Sequence, residues 1–491
     1  MSSSTVGGLA KERRLHPAGM LLSALRTVRR WLGVAAFPGV VALINGEFGM
    51  RVLLLVLLGV TLLGVLSAVW GVLSWRATTY RVSGGAFHLK RGVFQKSERS
   101  LPLDHVQSVS TVQGVVQRLF GVVEVRIEAA GGGGEPEISL PALSISTART
   151  LREELTSARQ ASLDTFEEAA APTVLRRLSV QDLLLAGLTS GQIGVATSVV
   201  FGASQAFDRL LPRDLAQRIS EIILPRTVYA ILFFVLGVAL FAWVLAILGT
   251  VLAHTSFTLS RSADGKYLYI KRGLLKRHEA TVPLARIQAI KVIEGVLRQP
   301  FGLAALRVES AGFGAEEGVS TTLFPLLPRK EVETLLRAAA PRFAAPLDDL
   351  EPLPARARRR YALRATLPVL LVSTLLAVFL FPWGFITLLP TLPAALYGLL
   401  RYRAAGHRLD DERLILRFRH LARTTVVVPG KLLQSRGYSI SPLQRRKGLA
   451  TLEVEVASGR GGAAFRLTDV EDSQAANLIE RLGSNTAATE V

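Results

Sequence analysis

The sequence predicts an α-helical integral membrane protein carrying three strand-rich cytoplasmic domains, each closed by a C-terminal helix. Three observations predict it. Five long uncharged stretches fall into three groups, arginine crowds the outer flanks of those groups, and one set of residue spacings recurs after each group. The chain has 491 residues, 49% of them hydrophobic, and a formal net charge of +20, with 48 of its 58 basic residues being arginine. Such a surplus suits nucleic acid, anionic lipid or membrane topology alike. Cysteine is absent, which excludes disulfides, thiol catalysis and thiolate metal sites. The polar N-terminus, MSSSTVGGLAKERRLHPAGM, does not read as a secretory signal.

The spans come in order. Trp31 to Gly46 is uncharged but short, at 16 residues, and contains Pro38. Val52 to Trp75 has 24 uncharged residues, Leu183 to Phe207 has 25 and Val228 to Ala253 has 26, each above the ~20 that cross a bilayer. Ala365 to Leu400 runs 36 residues without a charge, enough for two short helices that turn at Pro382-Trp383-Gly384. This gives six spans in three pairs. Arg29 and Arg30, Arg76 and Arg81, Arg176 and Arg177, Arg356 to Arg360, and Arg401 and Arg403 flank the pairs, whereas the loops within pairs are charge-poor or nearly neutral. Cytoplasmic flanks collect arginine, so both termini are expected in the cytoplasm of a multi-pass cell-membrane protein.

A segment of strand-like patterning follows each pair, and these segments are repeats. LPLDHVQSV, VPLARIQAI and VPGKLLQSR place Pro102, Pro283 and Pro429 five residues before Gln107, Gln288 and Gln434. Gly121, Gly302 and Gly448 follow each glutamine by 14 residues, and Glu128, Glu309 and Glu455 follow it by 21. A helical pattern then closes each repeat, the third opening on a capping box from Thr468 to Glu471. The chain divides into a cytoplasmic segment (1–30), transmembrane pairs at 31–75, 183–253 and 364–400, and domains at 76–160, 254–343 and 401–483. Linkers are placed at 161–182 and 344–363, with a tail at 484–491.

The residues RLHP (Arg14 to Pro17), RLSVQDLLLAGLTSG (Arg177 to Gly191) and KRGVFQKSERSLPLDHVQSV with QRLFG and RIEAAG resemble the bacterial pleckstrin-homology-like, YdbT-type multi-pass membrane proteins. The resemblance covers nearly the whole chain and implies three bacterial PH domains on paired membrane helices. In the third copy Arg419 stands where Gly92 and Gly273 stand, and Lys447 where Phe120 and Phe301 stand, so a ligand site shared by all three is not expected. The resemblance implies a role in envelope maintenance or stress tolerance and a smaller single-PH-domain membrane protein as partner. It supplies no settled biochemical activity.

The turns KRGVFQK (Lys90 to Lys96), KRGLLKR (Lys271 to Arg277) and RFRHLAR (Arg417 to Arg423) set apolar residues among basic ones. An outward strand and a return strand of similar length nearly cancel at ~3.3 Å per residue, which brings each turn back to the bilayer it left. The candidate lipid contacts are Lys90, Arg91, Val93, Phe94 and Lys96 in the first turn. Lys271, Arg272, Leu274, Leu275, Lys276 and Arg277 form the second set, and Arg417, Arg419 and Arg423 the third. Basic residues meet anionic headgroups at about 1 kcal/mol each. The alternative is a solvated turn whose apolar pair tucks against its own domain.

Ser190, Gly194, Ser198 and Gly202 form a small-residue stripe suited to close helix packing. The seven histidines are scattered, and Gly131 to Gly134 lacks the lysine of a phosphate loop. No catalytic, cofactor-binding or metal-ligating constellation emerges, nor an aromatic array for nucleic acid. Three functions follow in order: a non-enzymatic scaffold with oligomerisation open to it, a sensor of anionic lipid headgroups, and a transporter or accessory subunit.

Overall fold

A computed structural model describes residues 12–25, 27–28, 50–103, 106–129, 138–161, 172–189, 228–310, 322–380, 383–410, 412–458 and 462–487. Each domain has seven strands in two sheets and a closing helix. The first uses β1 (Arg13–Arg14), β2 (Thr79–Ser83), β3 (Ala86–Arg91) and β4 (Ser97–Pro102), then β5 (Val106–Gln113), β6 (Val122–Ala129), β7 (Ile138–Ser144) and the helix Ile145–Ala161. The second repeats this with β8 (Thr173–Arg177), β9 (Thr258–Arg261), β10 (Tyr267–Arg272), β11 (Arg277–Pro283), β12 (Ile287–Glu294), β13 (Leu303–Ser310) and β14 (Thr322–Pro328). The helix Arg329–Ala339 closes it. The third comprises β15 (Glu351–Pro352), β16 (Gly406–Asp410), β17 (Arg413–Arg419), β18 (Arg423–Pro429), β19 (Leu433–Ser439), β20 (Leu449–Val456), β21 (Ala463–Glu471) and the helix Asp472–Ala487.

The repeated spacings have a backbone meaning. In each domain the antiparallel register slips by one residue at the repeated glutamine, between Val106 and Ser108, Ile287 and Ala289, and Leu433 and Ser435. Each glutamine is therefore the extra residue of a bulge. The residue after it pairs with Glu128, Glu309 or Glu455, which accounts for the 21-residue interval. Gly121, Gly302 and Gly448 all take φ near +60°, where a side chain is strained, and each ends a tight turn before the next strand.

The first strand of every domain comes from before the membrane insert. Arg13 pairs with Tyr80, Val174 with Ser260, and Glu351 with His407. The stretches read as linkers, 161–182 and 344–363, thus contain β8 and β15, and the N-terminal segment contains β1. Strands of two to five residues carry too little alternation to be recognised in sequence. Each membrane insert lies between the first and second strands of one sheet.

Among the described residues, four helical segments are long and apolar enough to cross a membrane: Leu57–Arg76, Leu236–His254, Ala357–Phe379 and Gly384–Ala404. The first predicted span and most of the third lie outside the described residues, and these four segments match the second, fourth, fifth and sixth of the six predicted. The last two form a hairpin. The helix Ala357–Phe379 ends short of Trp383–Leu388, a 3-10 turn, and the chain returns along the helix Thr391–Ala404. The helices cross where Gly398 faces the Tyr361 carbonyl, which a Cβ would approach to 2.5 Å. Comparable crossings occur at Gly71 against Met20 and at Gly187 against Ile247, so each insert begins as a close helix pair.

Candidate functional site

The three basic turns converge on the ends of the membrane helices that precede them. The Leu274 amide donates to the Leu252 carbonyl at 3.0 Å and the Gly273 amide to Thr255 at 2.8 Å, both acceptors at or just past the end of the helix Val228–His254. Phe94 stacks on Trp70, within the helix Met50–Arg76, with ring centroids 5.9 Å apart. Arg401 in the last membrane helix donates to the Arg419 carbonyl at 3.0 Å. Gly92 and Gly273 have φ of +117° and +99°, and a Cβ there would lie 1.9 and 2.1 Å from a carbonyl oxygen across the turn. Arg419 cannot take that shape, so the third hairpin continues one pair further, to Arg419 opposite Arg423.

The side chains at these turns differ by copy. Phe94 is 89% exposed, Leu274 and Leu275 are half-exposed, and Val93 is partly covered. Lys90 pairs with Glu12 at 3.0 Å and Lys271 with Glu279 at 3.2 Å, while Arg272 lies 3.4 Å from His254. Arg91, Lys96, Lys276 and Arg277 are exposed. The third set is engaged by protein: Arg423 binds Glu294, Arg419 donates to Gln299 at 2.5 Å, and Arg417 binds the Leu347 carbonyl and Thr425. Beside that turn, a cavity of about 310 Å³ is lined by Tyr361, Arg401, Phe418, Arg419, His420 and Arg466, among others. Ser190, Gly194, Ser198 and Gly202 lie outside the described residues; the nearby Gly187 packs on Ile247.

A feature that sequence reasoning missed joins the domains. The second sheet of domain one and the first sheet of domain two form one seven-stranded sheet, in the order β7-β6-β5-β11-β10-β9-β8. Domains two and three repeat the arrangement as β14-β13-β12-β18-β17-β16-β15. The registers match. Gln113, six residues after its repeat glutamine, faces Arg277, six before its repeat proline; Glu294 and Arg423 are the corresponding pair at the second seam.

The second seam buries charge. Glu294 is fully buried between Arg329, at 3.0 Å, and Arg423. Arg417 lies close by, and burial followed by the neighbouring Arg329 and Arg423 lowers its pKa to about 10. The Arg329 guanidinium holds the Asp348 carboxyl below the usual range. At the first seam, Arg152 reaches from the closing helix to Glu279 at 3.4 Å and lies over the Tyr269 ring, 5.5 Å away. Arg118 donates to the Leu274 carbonyl at 2.6 Å.

Also unforeseen is the fastening of the third insert. Arg356, Arg360 and Arg364 recur every four residues and so share one helix face. They bind Glu471 at 2.8 Å and Asp469 at 3.2 and 3.2 Å, while the Tyr361 hydroxyl donates to the Thr468 carbonyl at 2.9 Å. Arg356 and Arg360 were visible in sequence as part of an arginine flank; Arg364 and the carboxylate partners were not.

The repeated unit matches a known family. The Bacterial PH domain profile fits residues 28–159, 211–342 and 362–486. The chain belongs to the bacterial PH domain family. Each match takes in all or part of a membrane insert together with its domain, the second from residue 211 only, yet starts after β1, β8 and β15, so the folded unit of this family member begins earlier than the profile. The chain is also similar to the UPF0699 transmembrane protein YdbT of Bacillus subtilis (strain 168), with 31% identity over 490 residues, covering 96% of this chain and 98% of that protein. No solved structure matches the chain.

Proposed function

We propose that this bacterial PH domain protein is a non-enzymatic scaffold of the cell membrane, its three domains joined edge to edge into one array on the cytoplasmic face. The observation that carries this reading is the pair of seven-stranded sheets, each shared between two domains. A chain built to present separate binding modules would leave them on flexible tethers; sheet pairing fixes them instead.

The same pairing supports a six-span topology with both termini cytoplasmic. Strands before and after each insert lie in one sheet, so both ends of an insert share one side of the membrane. An even number of crossings follows for each insert, and arginine flanks favour the cytoplasmic side. The test is reagent access in intact cells at Asp349→Cys, in a chain with no native cysteine, since the Asp349 side chain is 91% exposed. Labelling only by a membrane-permeant maleimide is expected; labelling by an impermeant one overturns the orientation.

Contact with anionic lipid is a second reading, favoured by the exposed Phe94, Leu274 and Leu275 beside helix ends, with Lys96 and Arg277 adjacent and exposed. Partial burial of each apolar side chain contributes at most about 1.5–3 kcal/mol. This reading rests on the first two turns, because protein groups occupy the arginines of the third. An environment-sensitive dye at Leu275→Cys, in the reconstituted full chain, should report an apolar setting that strengthens with anionic lipid and weakens with salt. A signal equal in neutral and anionic bilayers removes lipid recognition and leaves the scaffold.

A further inference from the structure

We propose that the two sheet edges left unpaired among the described residues at the ends of the array, β4 and β19, join head to tail between two copies of this chain. The inference rests on the scaffold reading and adds the identity of the partner. β4 ends the sheet β1-β2-β3-β4, and β19 ends the sheet β19-β20-β21. Their counterparts are consumed inside the molecule: β11 and β18 correspond to β4, and β5 and β12 to β19. The junction therefore exists twice within each chain, with one half of a third copy left at either end.

Burial marks the two halves as incomplete. Five of the six residues of β4 are exposed, whereas β11 buries four of seven and β18 five of seven. No residue of β19 is buried, while five of the eight in β12 are. Both internal seams pair the residue five after the repeat glutamine with the residue five before the repeat proline: Val112 with His278, and Ile293 with Thr424. The same rule sets Ser439 opposite Ser97 and Tyr438 opposite Glu98. Gly437 falls opposite Arg99; it adds no side chain between that arginine and Glu453, the partner of Gly437 on β20.

A second contact recurs with the strands. The residue three before the positive-φ glycine touches the next domain's turn, Arg118 binding the Leu274 carbonyl and Gln299 accepting from Arg419. In the third domain that residue is Arg445, which is exposed, and the position of Leu274 in the first domain is Val93. Arg445 of one copy thus meets the Val93 turn of the next.

The occupant must carry a β4-type edge with its membrane insert on the same side, and a second copy of this chain supplies both. Lys96, Glu98 and Arg99 line that edge, and such charges discourage indiscriminate strand pairing. The contact is heterologous, so it generates closed rings or open rows rather than a two-fold dimer.

The test uses the full chain in native membranes, with Ser97→Cys on one affinity-tagged copy and Ser439→Cys on a differently tagged copy. Mild oxidation should give a mixed-tag disulfide dimer, several-fold more abundant than that from Ser97→Cys with the off-register Gly437→Cys. Ile293→Cys with Thr424→Cys on one chain reports the internal seam. If that pair links while the mixed-tag dimer stays at the off-register level, or if Ser439→Cys links to a different protein, head-to-tail assembly is overturned and the scaffold stands. Failure of both links overturns the array itself.

Discussion

The two seams share a register and differ in strength. The second pairs five residues of β12 with β18, the first only three of β11 with β5. Ile415 and Val427 of domain three sit in the core of domain two, and Ala289 of domain two sits in the core of domain three. Among the described residues, the core of domain one holds none from domain two. Where Glu294 is buried between two arginines at the second seam, the first has Gln113, whose side chain donates to the Val122 carbonyl of its own domain at 3.1 Å. Domains two and three therefore behave as one folding unit, and domain one as a body hinged to it. The difference teaches that strand pairing sets how domains are oriented, while shared core and buried charge set how firmly.

The largest test of that contrast is Glu294→Ala. It removes the fully buried carboxylate shared by Arg329, which keeps Asp348, and the partly exposed Arg423, and should cost about 3 kcal/mol, melting domains two and three together in detergent. Gln113→Ala, at the matching position, should cost only about 1 kcal/mol, confined to domain one. A loss at Gln113 as large as at Glu294 breaks the contrast. Gly302→Ala sharpens it as a control, because open space surrounds the glycine and only its φ of +60° is penalised, at about 1–2 kcal/mol.

Arg152→Ala tests the first seam alone. Its ion pair with Glu279 is partly exposed, so the global cost should be about 0.2–1 kcal/mol. Limited proteolysis should nonetheless cut faster between domains one and two than between two and three. Equal cleavage at both junctions would contradict the hinge.

The smallest effect is pH dependence in domain three. Burial lowers the pKa of His407 below 6.5, while Glu351 opposes the shift. The unfolded chain then binds a proton that the folded one resists, so this residue's contribution falls as pH drops below 6.5 toward the folded pKa. His407→Phe should flatten the acid side of the domain-three melting curve. An unchanged slope removes His407 as its source.

Much of the fold was legible in the sequence because local chemistry fixes it. The repeat glutamine marks a bulge, the glycine a left-handed turn, and the glutamate the position across from the bulge, all within about 20 residues of one another. The return of each turn to its helix end followed from strand length alone. The seams were hidden because they join segments more than 100 residues apart, and nothing in HEATVP names β5 as its neighbour. β1, β8 and β15 were hidden because a membrane insert separates each from its sheet. Arg356 and Arg360 read as a topology signal, although Glu471 and Asp469 claim them, as Asp469 also claims Arg364.

The most direct test of the edge-to-edge array exploits the absence of cysteine. The double variant Val112→Cys/His278→Cys, oxidised mildly in native membranes, places two thiols across the weaker seam. The array predicts a disulfide within a single chain, with monomeric mobility and no maleimide labelling until reduction. Free thiols in both positions, labelled at once, would show domains hanging independently from their membrane helices and would contradict the account.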